Sequence, residues 1–286
     1  MKQTITSICF AIIAAVITPM TSKAQTLKTP APSPLQTLKQ AFALSEIGIE
    51  YSRPSAKGRV IFGDLVPFGK TWRTGANGAT KLTFGENVKI EGNAVPAGTY
   101  ALYTVPNKDN WEIIIYKDLK VGGNVANMKK EDELVRFSVK SSKLTEKVET
   151  FTLNVADITA SKANIELTWE NTKVSFSVVA DIDAAIMADI DKTINTDNRP
   201  YFQAANYYFE NDKDLTVALT WVNKAIEQNP KAFWVMMLKA KIENKMKDYK
   251  SCMATCDKVV ELAKAASNDD YVKMAETLKA EAKNAK

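Results

Sequence analysis

Not one of the 286 residues is a histidine. That absence excludes nucleophile activation by Ser–His and Cys–His pairs. It also removes the commonest metal ligand and the side chain best suited to proton transfer near neutrality. An enzyme built on this chain has carboxylates, lysine, tyrosine or a bound cofactor to work with. Cysteine is scarce too, and only Cys252 and Cys256 lie beyond the N-terminal apolar run. Their spacing of four on a helix sets the Cβ atoms about 5–6 Å apart. A disulfide needs them closer, and two thiols are too few for a zinc site. Both read as small apolar core residues. The glycines form no strand–GxxxxGK[ST]–helix pattern, so a phosphate loop is excluded.

Apolar residues make up 45% and charged residues 25%, the balance of a globular protein with a core. The net charge of +5 is unevenly placed. Residues 51–81 carry Arg53, Lys57, Arg59, Lys70, Arg73 and Lys81 against the single acid Asp64. A nucleic-acid binder spreads its cations along a face or helix, so no nucleic-acid partner is expected.

Lys2, the apolar run Ile5 to Ile17, Pro19 and the small-residue site Ser22-Lys23-Ala24 read as a signal peptide over residues 1–24, cleaved before Gln25. The run is shorter than the ~20 residues of a membrane helix, and no later stretch approaches that length. The expectation is an exported protein, periplasmic or extracellular, with no transmembrane segment after cleavage. Residues 25–33, with Pro30 and Pro32, read as an extended linker.

Over residues 34–179 the apolar pattern has a period of two. Ile47, Ile49 and Tyr51 share a face, as do Trp111, Ile113 and Ile115, and Phe151, Leu153 and Val155. Ile165, Leu167 and Trp169 form another row, and Val174, Phe176 and Val178 follow after Glu170-Asn171-Thr172, a spacing that predicts a closing hairpin. Strands without intervening helical patterns predict an antiparallel β-sandwich, with a partly closed barrel as the competitor. Between the strands near residues 50 and 80 lies a long irregular segment. It is punctuated by Gly58, Gly63, Gly69 and Gly75, and Phe62, Phe68 and Trp72 alternate with its cations. Long irregular connections in compact domains are often functional.

The stretches YSRPSAKGRVIFGDLVPFGKTWRTGAN and VPAGTYALYTVP, with a tryptophan-led strand after the second, closely resemble the bacterial family called domain of unknown function 2911. The resemblance runs from about Ser33 to Val179. It implies a β-rich exported domain, often followed by a helical tail, and implies no activity.

Residues 180–197 read as a connector helix capped by Asp181, with the stripe Ile182, Ile186, Ile190 and Ile194. Residues 198–286 repeat at an offset of 34. Asp214, Leu215, Ala218, Val222 and Ala225 map onto Asp248, Tyr249, Cys252, Cys256 and Val259. That period belongs to tetratricopeptide-like helix pairs, which bind protein partners along a groove. Lys239 and Glu243 depart from it, standing where apolar residues are expected.

The candidate ligand-binding residues are Arg53, Lys57, Arg59, Trp72, Arg73 and Asn77. Guanidinium forks suit carboxylate, phosphate or sulfate, and a tryptophan face suits a sugar ring. The structural alternative is that Arg53 and Arg73 hold loop carbonyls or pair with Asp64, while Trp72 plugs the end of the domain. The predicted function is non-catalytic binding of an anionic envelope ligand or glycan, with a protein partner on the helices. Carboxylates such as Asp64, Glu86, Glu91 and Asp109, or a metal held by oxygen ligands, leave an enzyme acting on glycans or other envelope polymers as the alternative. No spacing implies a cofactor or a metal site.

Overall fold

A computed structural model describes residues 29–196 and 199–285. The signal-peptide reading and most of the linker therefore lie outside the described residues.

The first half is a nine-strand antiparallel sheet. Its strands are β1 (Leu35–Phe42), β2 (Ser45–Ser52), β3 (Ala76–Phe84), β4 (Val88–Ile90), β5 (Asn93–Val95), β6 (Gly98–Val105), β7 (Asn110–Tyr116), β8 (Glu133–Ala156) and β9 (Lys162–Ala180). They lie in the order β1-β2-β3-β6-β7-β8-β9-β4-β5, with β1 and β5 as free edges, so the sheet is not closed into a barrel. The alternating rows all point into one core, where Ile49, Leu82, Ile113, Phe151, Leu167, Trp169 and Val178 are fully buried. β6 and β7 read instead as continuous apolar runs because both of their faces are covered. Leu102 and Ile113 face the core, while Tyr103, Ile114 and Tyr116 lie beneath residues 117–132, with Val121, Val125 and Met128 above them.

The predicted hairpin at Glu170-Asn171-Thr172 is not there: β9 runs unbroken from Lys162 to Ala180. Trp169 and Val174 both face inward although they are five positions apart, an odd offset that needs one extra residue. Glu170 supplies the irregularity with a φ of +54°. Opposite it, β8 slips register between Lys143 and Val148. The feature is a bulge that bends a two-strand ribbon rather than a turn that ends a strand.

The second half carries six helices: α1 (Asp183–Thr193), α2 (Tyr201–Glu210), α3 (Leu215–Gln228), α4 (Phe233–Lys245), α5 (Tyr249–Ala265) and α6 (Asp269–Asn284). Asp181 does not cap α1. The N-cap is Ile182, which is buried in the β core and makes no side-chain cap. The Asp214 side chain accepts from the Thr216 and Val217 amides, and Asp248 accepts from the Ser251 amide. The two caps start α3 and α5 34 residues apart. α4 lies between two cores. Val235, Leu238 and Ile242 face α2 and α3, while Met237 and Ala240 face Cys252, Cys256 and Val259. Both cysteines are buried and free, and burial pushes the Cys256 thiol up to about 12, so it stays protonated. Ile186 packs on both the β core and the α2–α3 helices, and Asp183 receives the Tyr207 hydroxyl (2.8 Å) and pairs with Lys213 (2.6 Å). α1 thereby ties the two halves together.

A cleft beneath the glycine-rich loop

Past β2 the chain crosses to the middle of β8, on the edge that β7 leaves free after Lys140. Ser55 bridges Thr150, the Ala56 amide donates to Glu149 O (2.8 Å), and the Phe151 amide donates to Pro54 O (2.9 Å). Arg53 belongs to this seam. Its Nε donates to Phe151 O (3.0 Å) and its Nη2 to the Thr152 hydroxyl (2.6 Å). The Tyr51 hydroxyl accepts from the Leu153 amide (2.9 Å) and also lies 3.1 Å from the Leu153 carbonyl. Because β3, β6 and β7 separate β2 from β8 in the strand order, these contacts mean the sheet curls until the two strands meet.

Arg59 closes the next turn, with Nε on Ala56 O (2.9 Å) and Nη2 on Ser55 O (2.7 Å). Lys57 takes a left-handed φ of +51°; its amide reaches Glu149 Oε1, and its side chain is exposed. Asn77 donates to the Ser52 hydroxyl (3.1 Å) and Ser33 O (3.3 Å). Trp72 is 9% exposed, stacks on Trp169 at 5.9 Å and donates from Nε1 to Gly75 O. Arg73 points to the other face of the sheet, where its guanidinium lies against Gly123. The structure therefore does not gather the six candidates into one patch. Arg53, Arg59 and Asn77 hold backbone and hydroxyl groups, and Trp72 is core. Among the described residues neither Arg53 nor Arg73 pairs with Asp64.

The same segment does build a cleft, with its aromatic residues. The Val66 amide bonds Ile61 O (2.8 Å) and the Gly63 amide bonds Val66 O (2.9 Å), closing a tight loop. Gly63 has a φ of +99°, and a Cβ there would lie 2.6 Å from the Phe68 ring, so only glycine lets Phe68 fold across the loop. Phe62 goes inward, edge-on to Trp111 at 4.7 Å. Opposite stand the β6–β7 turn, Asn107–Asn110, and the bulged ribbon at Ser141–Lys143 and Glu170–Thr172. The turn is fixed to the ribbon by the Ser141 amide on Asp109 O (2.8 Å) and the Ser141 hydroxyl on Lys108 O (2.9 Å). These walls enclose about 360 Å³ over a floor of Phe62, Phe68 and Trp111. A second hollow continues past Phe68 along Asn107–Asn110.

Among the described residues the side chains of Lys108, Lys143 and Asp109 have no ion pair or hydrogen-bond partner, whereas Glu170 accepts from the Ile61 amide (3.2 Å) and lies 4.0 Å from Lys147. The cleft thus offers an apolar floor, two free ammonium groups, one free carboxylate and the Thr172 hydroxyl. Among the described residues no three Asp, Glu, Cys or His side chains converge as a metal site. Sequence reasoning singled out Phe62, Phe68 and Asp109 but not Lys108, Lys143 or Thr172. The one available signal for the last two was the broken alternation between Trp169 and Val174.

No curated protein matches the chain, and no solved structure does. Residues 33–178, just over half of the chain, match the family described as "Protein of unknown function (DUF2911)". They contain the first eight strands, all but the last two residues of β9 and the whole of the cleft, and the chain belongs to that family.

Proposed function

We propose that this is a non-catalytic binding protein whose cleft under Phe68 takes a polar ring ligand, a glycan unit bearing an anionic group. The observation that carries this reading is the pairing of a three-ring floor with Lys108 and Lys143, whose ammonium groups have no partner among the described residues. Aromatic faces pack against sugar rings, and unpaired cations at the rim select an acidic substituent. The basic-aromatic character expected of residues 53–77 is thus divided. That segment brings two of the three aromatics, Trp111 comes from β7, and the cations come from the β6–β7 turn and the bulge.

Calorimetric titration with uronic-acid and neutral disaccharides tests the reading. Saturable heat is expected for the acidic sugars, weakened about tenfold or more by Phe68→Ala, with the preference for acid lost in a Lys108→Met/Lys143→Met variant. Equal heats for all variants and sugars would remove the cleft from consideration. The enzymatic alternative has one supporting observation: Asp109 and Glu170 line the same cleft. Glu170, however, is engaged by the Ile61 amide. Turnover of a glycan that disappears in Asp109→Asn would favour the enzyme.

The curled sheet fits a two-layered sandwich, since β2 and β8 meet across the core. The 34-residue spacing of the Asp214 and Asp248 caps fits a tetratricopeptide-like pair. The helices are the partner-facing half in this reading: Trp234 stands 41% exposed beside Tyr201 and Phe202 in a hollow between α2, α3 and α4. Export follows from residues 1–24. Cell fractionation is expected to recover a protein beginning at Gln25 outside the cytoplasm, and a cytoplasmic protein retaining Met1 would end that reading.

A further inference from the structure

The strap of residues 117–132 covers the outer face of the sheet and lies against a charge that no group among the described residues answers. Trp72 bridges Thr104 in antiparallel register, which sets the neighbouring Arg73 opposite Tyr103, on the face away from the core. The Arg73 Nε is buried and has no hydrogen-bond partner, and among the described residues no acceptor reaches its terminal nitrogens either. The Tyr103 hydroxyl opposite it already donates to Gly122 O (2.9 Å). A buried donor without a partner is disfavoured, and because only Nε is fully buried, the half-buried side chain leaves its terminal nitrogens open to an acceptor from outside the chain.

The strap meets this guanidinium with bare backbone. A Cβ on Gly123 would stand 3.3 Å from Arg73 Nη1 and 3.4 Å from its Cδ, so the main chain runs directly against the charged group. Gly122 is left-handed at φ +57° and Gly123 is not, and tight turns of successive amides are where backbone N–H groups gather round an anion. The Gly122 and Gly123 amides have no acceptor among the described residues, whereas the following Asn124 amide is spent on Val121 O (3.1 Å).

We infer that Arg73 and the Gly122–Gly123 turn form an oxyanion site, separate from the cleft under Phe68, that takes the carboxylate or phosphate group of a small ligand. An arginine fork matches both groups, since each presents two oxygens in one plane. The site is independent of the glycan reading, because Arg73 and Phe68 belong to opposite faces of the sheet.

The test is an amide-resolved NMR titration of the full chain with sodium phosphate and, separately, sodium acetate, at ionic strength held constant with chloride. Saturable shifts of the Gly122 and Gly123 amides are expected with at least one anion, and the anion that produces them tells phosphate from carboxylate chemistry. Arg73→Met is expected to weaken binding about tenfold or more, while Lys108→Met/Lys143→Met leaves it unchanged. Should Arg73→Met fail to fold, Gly123→Ala takes its place. Its φ is not left-handed, and its new methyl crowds the guanidinium, so weaker binding at an unchanged melting midpoint is expected. Shifts that never saturate would overturn the assignment. So would equal affinity in the Arg73 and Gly123 variants, or binding lost only with the two lysines.

Discussion

Trp72→Ala is expected to destabilise the β domain by about 3–5 kcal/mol, the usual cost of emptying a large aromatic site in a packed core. Trp72 is the hub of an aromatic cluster, stacked on Trp169 and edge-on to Phe62 (5.9 Å), Trp111 (6.5 Å) and Phe151 (5.2 Å). Its indole N–H is satisfied by Gly75 O at 3.1 Å, so removal leaves both a void and an unpaired carbonyl. The cluster also supports Phe62, and through it the floor of the cleft. Urea unfolding followed by tryptophan fluorescence and near-ultraviolet circular dichroism would register the loss as a lower midpoint. A variant with an unchanged midpoint that nevertheless lost ligand binding would restore Trp72 to the role of a binding face.

The opposite sign is expected at Glu243. This carboxylate is 5% exposed between α4 and α5. Its Oε2 has no partner, and Lys239 approaches Oε1 only to 3.8 Å. Burial raises its pKa, with the Thr255 hydroxyl and Lys239 offsetting part of the effect and Asp248 adding to it. A group whose folded pKa lies above its unfolded value binds its proton more tightly in the folded state. Its favourable contribution is therefore complete below about 4.5 and is lost as pH rises through the raised folded value. The full chain is expected to lose stability as pH climbs through that window, and Glu243→Gln is expected to flatten the slope. Glu243→Met, which fits the apolar position of the repeat, is expected to gain about 1–4 kcal/mol at neutral pH. Denaturation midpoints of the three proteins from pH 4 to 8 measure both effects. Parallel pH profiles for Glu243 and its glutamine variant would show that the carboxylate is not the titrating group.

The alternating rows at Ile47–Tyr51, Trp111–Ile115 and Phe151–Val155 were legible because a strand with one buried face imposes a period of two on its own residues. The match of Asp214 to Asp248 was legible as a repeat, but only folding showed both to be N-caps, and Asp181, the cap expected from the sequence, is not one. Where the rule is local, neighbouring residues suffice to reveal it.

The apparent hairpin after Trp169 shows where that locality fails. A bulge and a turn both interrupt alternation, and only the register of the facing strand separates them: β8 runs past Glu170 without reversing. The arginines pose the same problem. Arg53 and Arg59 in an irregular loop look like free cations until Phe151 O and Ala56 O are placed beside them. For Arg53 the partner is 98 positions away.

Composition and local periodicity were enough to divide the chain into a strand-rich half and a helical half, because both depend on forces acting between near neighbours. The cleft beneath Phe68 and the unanswered guanidinium of Arg73 came only with folding. Both arise where segments distant along the chain are brought together, and whether a charge is spent or free is a property of that meeting.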